Sequence, residues 1–257
     1  MNQHAGGAPP ALFEFLLRTG DNCLILGHRI SEWCGHGPAL EEDIALANTA
    51  LDLIGQTRLW LGLAAEVEDK GRTADSLAYL RTEHEFRNTL LVEKPNGDFG
   101  MTLMRQFLFD SWHFPFLKAL QTSSDVRVAE IAGKASKEVA YHLDRSTGLV
   151  IRLGDGTEES RSRMQTALDD LWPFTGEFFI ADDKDAELAE HGIAPDPGAI
   201  FDPWNDHVEA TLREATLTRP QAAYMHKGGK RGIHSEHLGY ILAELQVLQR
   251  TYPGATW

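Results

Sequence analysis

Only two of the 257 residues are cysteine, Cys23 and Cys34. A disulfide framework needs more, and a four-cysteine metal site is excluded outright, so two reduced thiols are expected. The chain has no run of 18 or more uncharged apolar residues, which argues against a membrane span. Its opening, MNQHAGGAPPALFEF, has no basic stretch ahead of an apolar one, the order a secretory signal requires. Residues 1–10 read as a loose polar tail. Positive charge is scarce: 24 Lys and Arg stand against 38 Asp and Glu, a formal net of −14. Such a chain repels phosphate backbones and anionic bilayers. Neither nucleic acid nor membrane is an expected partner, and the cytoplasm is the expected compartment. Also missing are β-hairpin signals, internal repeats, low-complexity tracts, a Gly-rich phosphate loop and a Ser/His/Asp pattern.

What is present is helical periodicity. Phe13, Leu16, Leu17, Gly20, Leu24 and Gly27 recur at three- and four-residue steps, predicting a helix from about Pro10 to Arg29. Gly35, Gly37 and Pro38 break the pattern. Glu41, Glu42 and Asp43 suit the positive end of the next helix, from about Leu40 to Glu68. A third helix is expected over Ala74 to Val92, stopped by Lys94-Pro95-Asn96-Gly97. The fourth, Phe99 to Gln121 with Asp98 as cap, contains Pro115, which should kink it or end it early. The fifth runs from Val126 to Leu153, and a sixth opens at Thr157. Asp182 to Pro203 reads as a long loop rich in Asp, Pro and Gly. Helices near Trp204 to Leu217 and Ser235 to Arg250 close the chain. The expected class is all-α: an antiparallel four-helix bundle with a crossover helix and extra C-terminal helices, in one domain over residues 11–257. Its core is expected at about 11–153 and a helical appendage at about 157–257.

Bundles of this plan can hold two metal ions. Two helices each give one Glu, and the other two each give a Glu-x-x-His pair, because residues three apart share a helix face. Asp21, Asp52, Asp110 and Glu138 lie one on each long helix. Asp21 and Asp52 are equidistant from the Gly35–Pro38 turn, and Asp110 and Glu138 from the Ser123–Asp125 turn. An antiparallel hairpin therefore sets all four carboxylates at one level. The histidines do not follow. Three residues past Asp52 stands Gly55, and three past Glu138 stands Tyr141, with His142 one place late. Asp110 and His113 have the right spacing on a helix that should give a lone carboxylate. Three of the four acids are Asp, a methylene short. Either the groups bind metals in an altered shell, or the layer is degenerate and its members satisfy one another, with His113, His142 and Arg145 as candidate partners. The missing histidines favour the second, so no catalytic residue and no metal are expected on this chain.

Other groups are less specific. Lys227, Lys230 and Arg231 form a small basic cluster in HKGGKRG. It suits coenzyme A phosphates, an acidic patch on a partner, or a solvated loop. His234 and His237 flank Ser235 and Glu236, and Ser235 as a helix N-cap explains them better than a metal does. Glu83, His84 and Glu85 read as the charged surface of the third helix. Phe107, Phe109, Trp112, Phe114 and Phe116 occupy several faces of the fourth helix. One side is expected to meet the core and another a partner; core packing around a kinked helix is the competing account.

Long strings carry a resemblance. SEWCGHGPALEEDIALANTALDLIGQTR, AYLRTEHEFRNTLLVEKPNGDF, RQFLFDSWHFPFLKAL, KEVAYHL, RLGDGTEES, ALDDLWPFTGE and GIHSEHLGYILAELQVLQRTYPGATW resemble the C-subunit family of bacterial phenylacetyl-CoA epoxidases, from about residue 11 to the end. The resemblance implies a ferritin-like structural subunit without iron, paired with a homologous A subunit. The A subunit would carry the di-iron centre that epoxidises the ring with oxygen and NADPH. A reductase subunit with flavin and an iron–sulfur cluster would deliver the electrons.

Overall fold

A computed structural model describes residues 10–221 and 224–255. The tail expected over residues 1–10 lies almost wholly outside them. Among the described residues the chain forms ten α-helices joined by short 3₁₀ turns, and no strand. The frame is two antiparallel hairpins. Helix α1 (Pro10–Ser31) packs on α2 (Leu40–Glu68), α4 (Phe99–Leu120) packs on α5 (Val126–Gly154), and α2 closes the ring against α5. The fold is a ferritin-like bundle.

Local chemistry sets the ends. The acidic first turn of α2 meets the positive end of its dipole, and Asp69 closes the helix in the left-handed region (φ 52°). The Asp98 carboxylate accepts the Met101 N–H at the start of α4, and Asp125 accepts the Arg127 N–H at the start of α5. Pro115 does not end α4, which runs on to Leu120. Its missing N–H removes one bond from a helix held by packing on every side.

The expected third helix is broken. Only Ala74–Tyr79 (α3) is α-helical. The chain restarts as a 3₁₀ turn at Glu83–Glu85, whose Glu85 carboxylate accepts the Thr82 N–H, and again at Leu90–Glu93. Glu83, His84 and Glu85 are thus turn residues, not a helix surface. The segment expected as a long loop also holds structure. Asp182 accepts the backbone N–H groups of Lys184 and Asp185 to start α7 (Asp183–Glu190), and α8 (Phe201–Glu214) begins before Trp204. After α6 (Glu158–Leu171), the chain ends in α9 (Glu236–Leu245) and α10 (Val247–Thr251), parted at Gln246. The Gln246 side chain donates to the carbonyls of Ala78 and Arg81 rather than continuing one helix.

Both α1 and α4 are wrapped on all sides. Trp112 and Phe116, weighed between core packing and a partner contact, are only 7% and 8% exposed. Trp112 stacks on Phe116 and Phe178 with centroids 4.8 and 4.7 Å away. Trp204 of α8 covers another side, its indole N–H donating to the Leu108 carbonyl. The chain's own later segments thus cover these faces of α4. The core account is the correct one, and an arginine at either position would disrupt packing rather than report on assembly.

Candidate functional site

The four carboxylates do not share one level: Asp110 meets Ser146, eight residues along α5 from Glu138, while Glu138 meets Gln56 and Asp52 meets His142. On one side a polar ladder joins α2 to α5. Arg145 pairs with Glu42, His142 Nε2 donates to Asp52 Oδ2 at 2.9 Å, and Gln56 Nε2 donates to Glu138 Oε2 at 2.9 Å. Cys23 of α1 reaches the ladder by donating to Gln56 Oε1 at 3.6 Å, and burial pushes its thiol well above its usual range. Asp110 lies deeper. It accepts from Gln106 Nε2 at 2.6 Å and Ser146 Oγ at 3.1 Å, and burial pushes its carboxyl up to about 7. His113 stands apart, packed on Phe109 and Trp112, with no partner for either ring nitrogen among the described residues; burial pushes its imidazole down to about 3 and holds it neutral. Of the candidate partners, His142 reaches a carboxylate of the layer. Arg145 turns to Glu42, and His113 touches only rings.

Asp21 faces the other way. Its carboxylate takes a two-pronged bond from the Arg81 guanidinium and a third from the Arg87 backbone N–H at 2.8 Å. Asp21 is 0% exposed and the Arg81 side chain 3%. Folds of this class can hold two metal ions, and these residues do not fit them. Arg81 puts a fixed positive charge on one of the four carboxylates. Asp52 and Glu138 are held by neighbours on separate rungs, and Asp110 sits where burial favours its neutral form. Among the described residues, no three His, Cys, Asp or Glu side chains converge as a metal site requires. Arg81 was not anticipated. Its place within LRTEHE reads locally as one more surface charge.

Two further buried carboxylates give no local signal either. Glu177 accepts the backbone N–H groups of Leu90 and Gly228 at 3.0 and 2.7 Å. Glu93, 0% exposed, accepts from Asn88 Nδ2, from the N–H and hydroxyl of Ser235, and from His234 Nδ1 at 2.6 Å. Together they strap the C-terminal segment to the crossover. The glycines of HKGGKRG serve this closure. A Cβ at Gly229 would run into the Asn88 carbonyl, and one at Gly232 (φ +77°) into that of His84. The loop is therefore pinned, not freely solvated. Within the basic cluster, Lys230 is committed to Asp185 and to the Ile180 carbonyl, while Lys227 and Arg231 stay exposed. All three line a pocket of about 140 Å³ that Glu177 and Asp182 share, so it is not purely cationic. The Ser235 hydroxyl, expected to cap α9, goes to Glu93 instead.

His234 is the strap's ionisable bolt. Both its ring nitrogens face acceptors, Glu93 Oε1 and, at 3.0 Å, the Phe86 carbonyl, so both must carry protons. Burial works against that charge. The bond and charge of Glu93, the Phe86 carbonyl and the charge of Asp21 together outweigh it and raise the imidazole above its ordinary value. A raised folded value gives stability that is complete below an unfolded value of roughly 6.5 and is lost as pH climbs through the folded one. The stability difference between the wild-type chain and His234→Gln, followed by urea unfolding, is therefore expected to shrink from pH 6 to pH 9. A difference that is flat or grows with pH would show that the ring is neutral.

Two hairpins and a crossover define a ferritin-like helical protein whose buried bundle carboxylates are engaged in hydrogen bonds and one buried ion pair. Its sequence matches the model of a family described as "Phenylacetic acid catabolic protein" over residues 2–257. It is 50% identical over 246 residues to the C subunit of the 1,2-phenylacetyl-CoA epoxidase of Escherichia coli (strain K12), covering 96% of this chain and 99% of that protein. The chain belongs to the phenylacetic acid catabolic protein family. No helix among the described residues is long and apolar enough to cross a membrane.

Proposed function

We propose that this chain is the C-type subunit of a 1,2-phenylacetyl-CoA epoxidase and takes part in the reaction without performing it. Near full-length identity of 50% to a C subunit of that enzyme is the observation that carries the reading. The Arg81 guanidinium on Asp21 supports the non-catalytic role, since it occupies a carboxylate that a di-iron centre would need. In this reading the complex is cytoplasmic. A homologous A subunit holds the di-iron centre, a reductase subunit holds flavin and iron–sulfur and draws on NADPH, and this chain holds no cofactor.

Elemental analysis tests it on the chain purified alone and after co-expression with its cognate A subunit. The expected result is little iron on the isolated chain, about two irons per pair, and NADPH- and oxygen-dependent consumption of phenylacetyl-CoA only when this chain is present. Two irons on the isolated chain, lost in Glu138→Ala, would overturn the reading.

A further inference from the structure

The bundle is covered unevenly. The side of α1 is closed by the crossover, by α7 and by α9. The outer face of α2 carries an apolar stripe with nothing over it among the described residues. Leu40, Ile44, Leu51 and Ile54 are 72%, 53%, 65% and 44% exposed, at three-, four- and seven-residue steps. The other side of α2 is the bundle core, so this helix is apolar on both sides, a pattern that calls for cover in water. Gly55 and Gly62 flank the exposed Arg58 at the far end of the stripe, and a Cβ at either glycine would meet nothing from a neighbouring element within 4 Å. Open glycines on a helix face admit another backbone closely. Gly133 and Gly148 on α5 are equally open.

The charge on this face narrows the occupant. Asp52, with 38% of its side chain exposed, stands at the surface of the α2–α5 ladder, and Glu138 lies on the next rung. The groups of this chain bonded to them are an imidazole and an amide, with no guanidinium or ammonium among them. The chain's net −14 disfavours a second copy of itself, which would bring the same carboxylates to the same place.

We infer that the outer face of α2, with the adjoining edge of α5, docks a helix of a different, less acidic subunit that lays small or apolar residues on the stripe and offers a lysine or arginine to Asp52 and Glu138. This rests on the assignment to a multi-subunit epoxidase. Once docked, the partner would shield the ladder from water and strengthen its charge pairs.

Leu51→Arg and Gly62→Trp test it, because both side chains enter open space and should leave the isolated chain's helicity and melting temperature unchanged. Each variant is co-expressed with a tagged cognate A subunit, and the amount co-purified is compared with wild type. At least a tenfold loss is expected for both, with Leu80→Arg on the crossover side at wild-type level. A weaker loss, largest at low salt and shrinking as salt is raised, is expected for Asp52→Asn. Wild-type yields for both α2 variants would overturn the docking face and leave the functional reading intact. Failure of the wild-type chain to co-purify would instead remove that reading, and the inference with it. An isolated chain that sediments as a dimer, split by Leu51→Arg, would overturn the partner in favour of a second copy.

Discussion

Arg81→Met is expected to destabilise the chain by about 3–5 kcal/mol, the cost of stripping one partner from a buried ion pair. The loss has three parts. The Asp21 carboxylate, 0% exposed, would keep only the Arg87 N–H as a donor. The guanidinium's stacking over the Phe86 ring, 4.3 Å from its centroid, would vanish. The bonds to the Leu77 and Glu85 carbonyls, which bend the chain between α3 and the next turn, would go too. Asp21→Asn in the same background should restore a sizeable part, because the uncompensated charge rather than the missing contact dominates. Guanidinium unfolding of the two single variants and the double variant measures the coupling. A single-variant loss below about 1 kcal/mol would show that the pair does not hold the crossover. The damage should spread along one route. The Arg81 carbonyl receives Gln246 and Arg250, so amide exchange in α9 and α10 should quicken before that in α2 or α5.

The crossover is also where the sequence is hardest to read. Helix α2 is legible end to end, because an acidic first turn and an unbroken apolar pattern speak from adjacent residues. The same periodicity continues through Leu77, Leu80 and Leu91, and it suggests one long helix where three short pieces exist. The local clue is Thr82 with Glu85 three residues on, a helix-start pair that marks a restart. Asp182 and Asp185 give the same kind of clue for α7. Placing four acids at one level from hairpin symmetry misses the true register, in which Asp110 meets Ser146 and not the height of Glu138. Partners of the buried acids are no more legible, since Arg81 lies 60 residues from Asp21, and His234 141 residues from Glu93. Buried carboxylates such as Glu93 and Glu177 look like any surface acid until the fold brings backbone donors to them. Trp112 misleads for a related reason: an all-round aromatic helix implies cover on every side, but not whose cover it is.

Asp110→Asn is expected to raise stability at pH 8 by roughly 2–4 kcal/mol, an unusual direction for a change in a buried polar cluster. Asp110 is 0% exposed, and burial moves its carboxyl from the ordinary 3.8 to about 7. A carboxylate with a raised folded value contributes fully below its unfolded value. That contribution falls as pH rises toward about 7, and above it the fold must hold a buried negative charge. Asparagine keeps the shape and never ionises. Its oxygen can accept from Gln106 as Asp110 Oδ1 does, and its amide can turn to the Ser146 hydroxyl, which also accepts. Urea titrations from pH 4 to pH 8 should therefore show the variant level with or below wild type at pH 4, gaining steadily and levelling off past pH 7. The same substitution separates the two accounts of the layer. A degenerate layer gains from losing its charge, whereas a carboxylate that held a metal would lose stability and metal together. A variant less stable than wild type at pH 8 would mean that a cation compensates Asp110 in solution, and the layer would have to be read as a binding site after all.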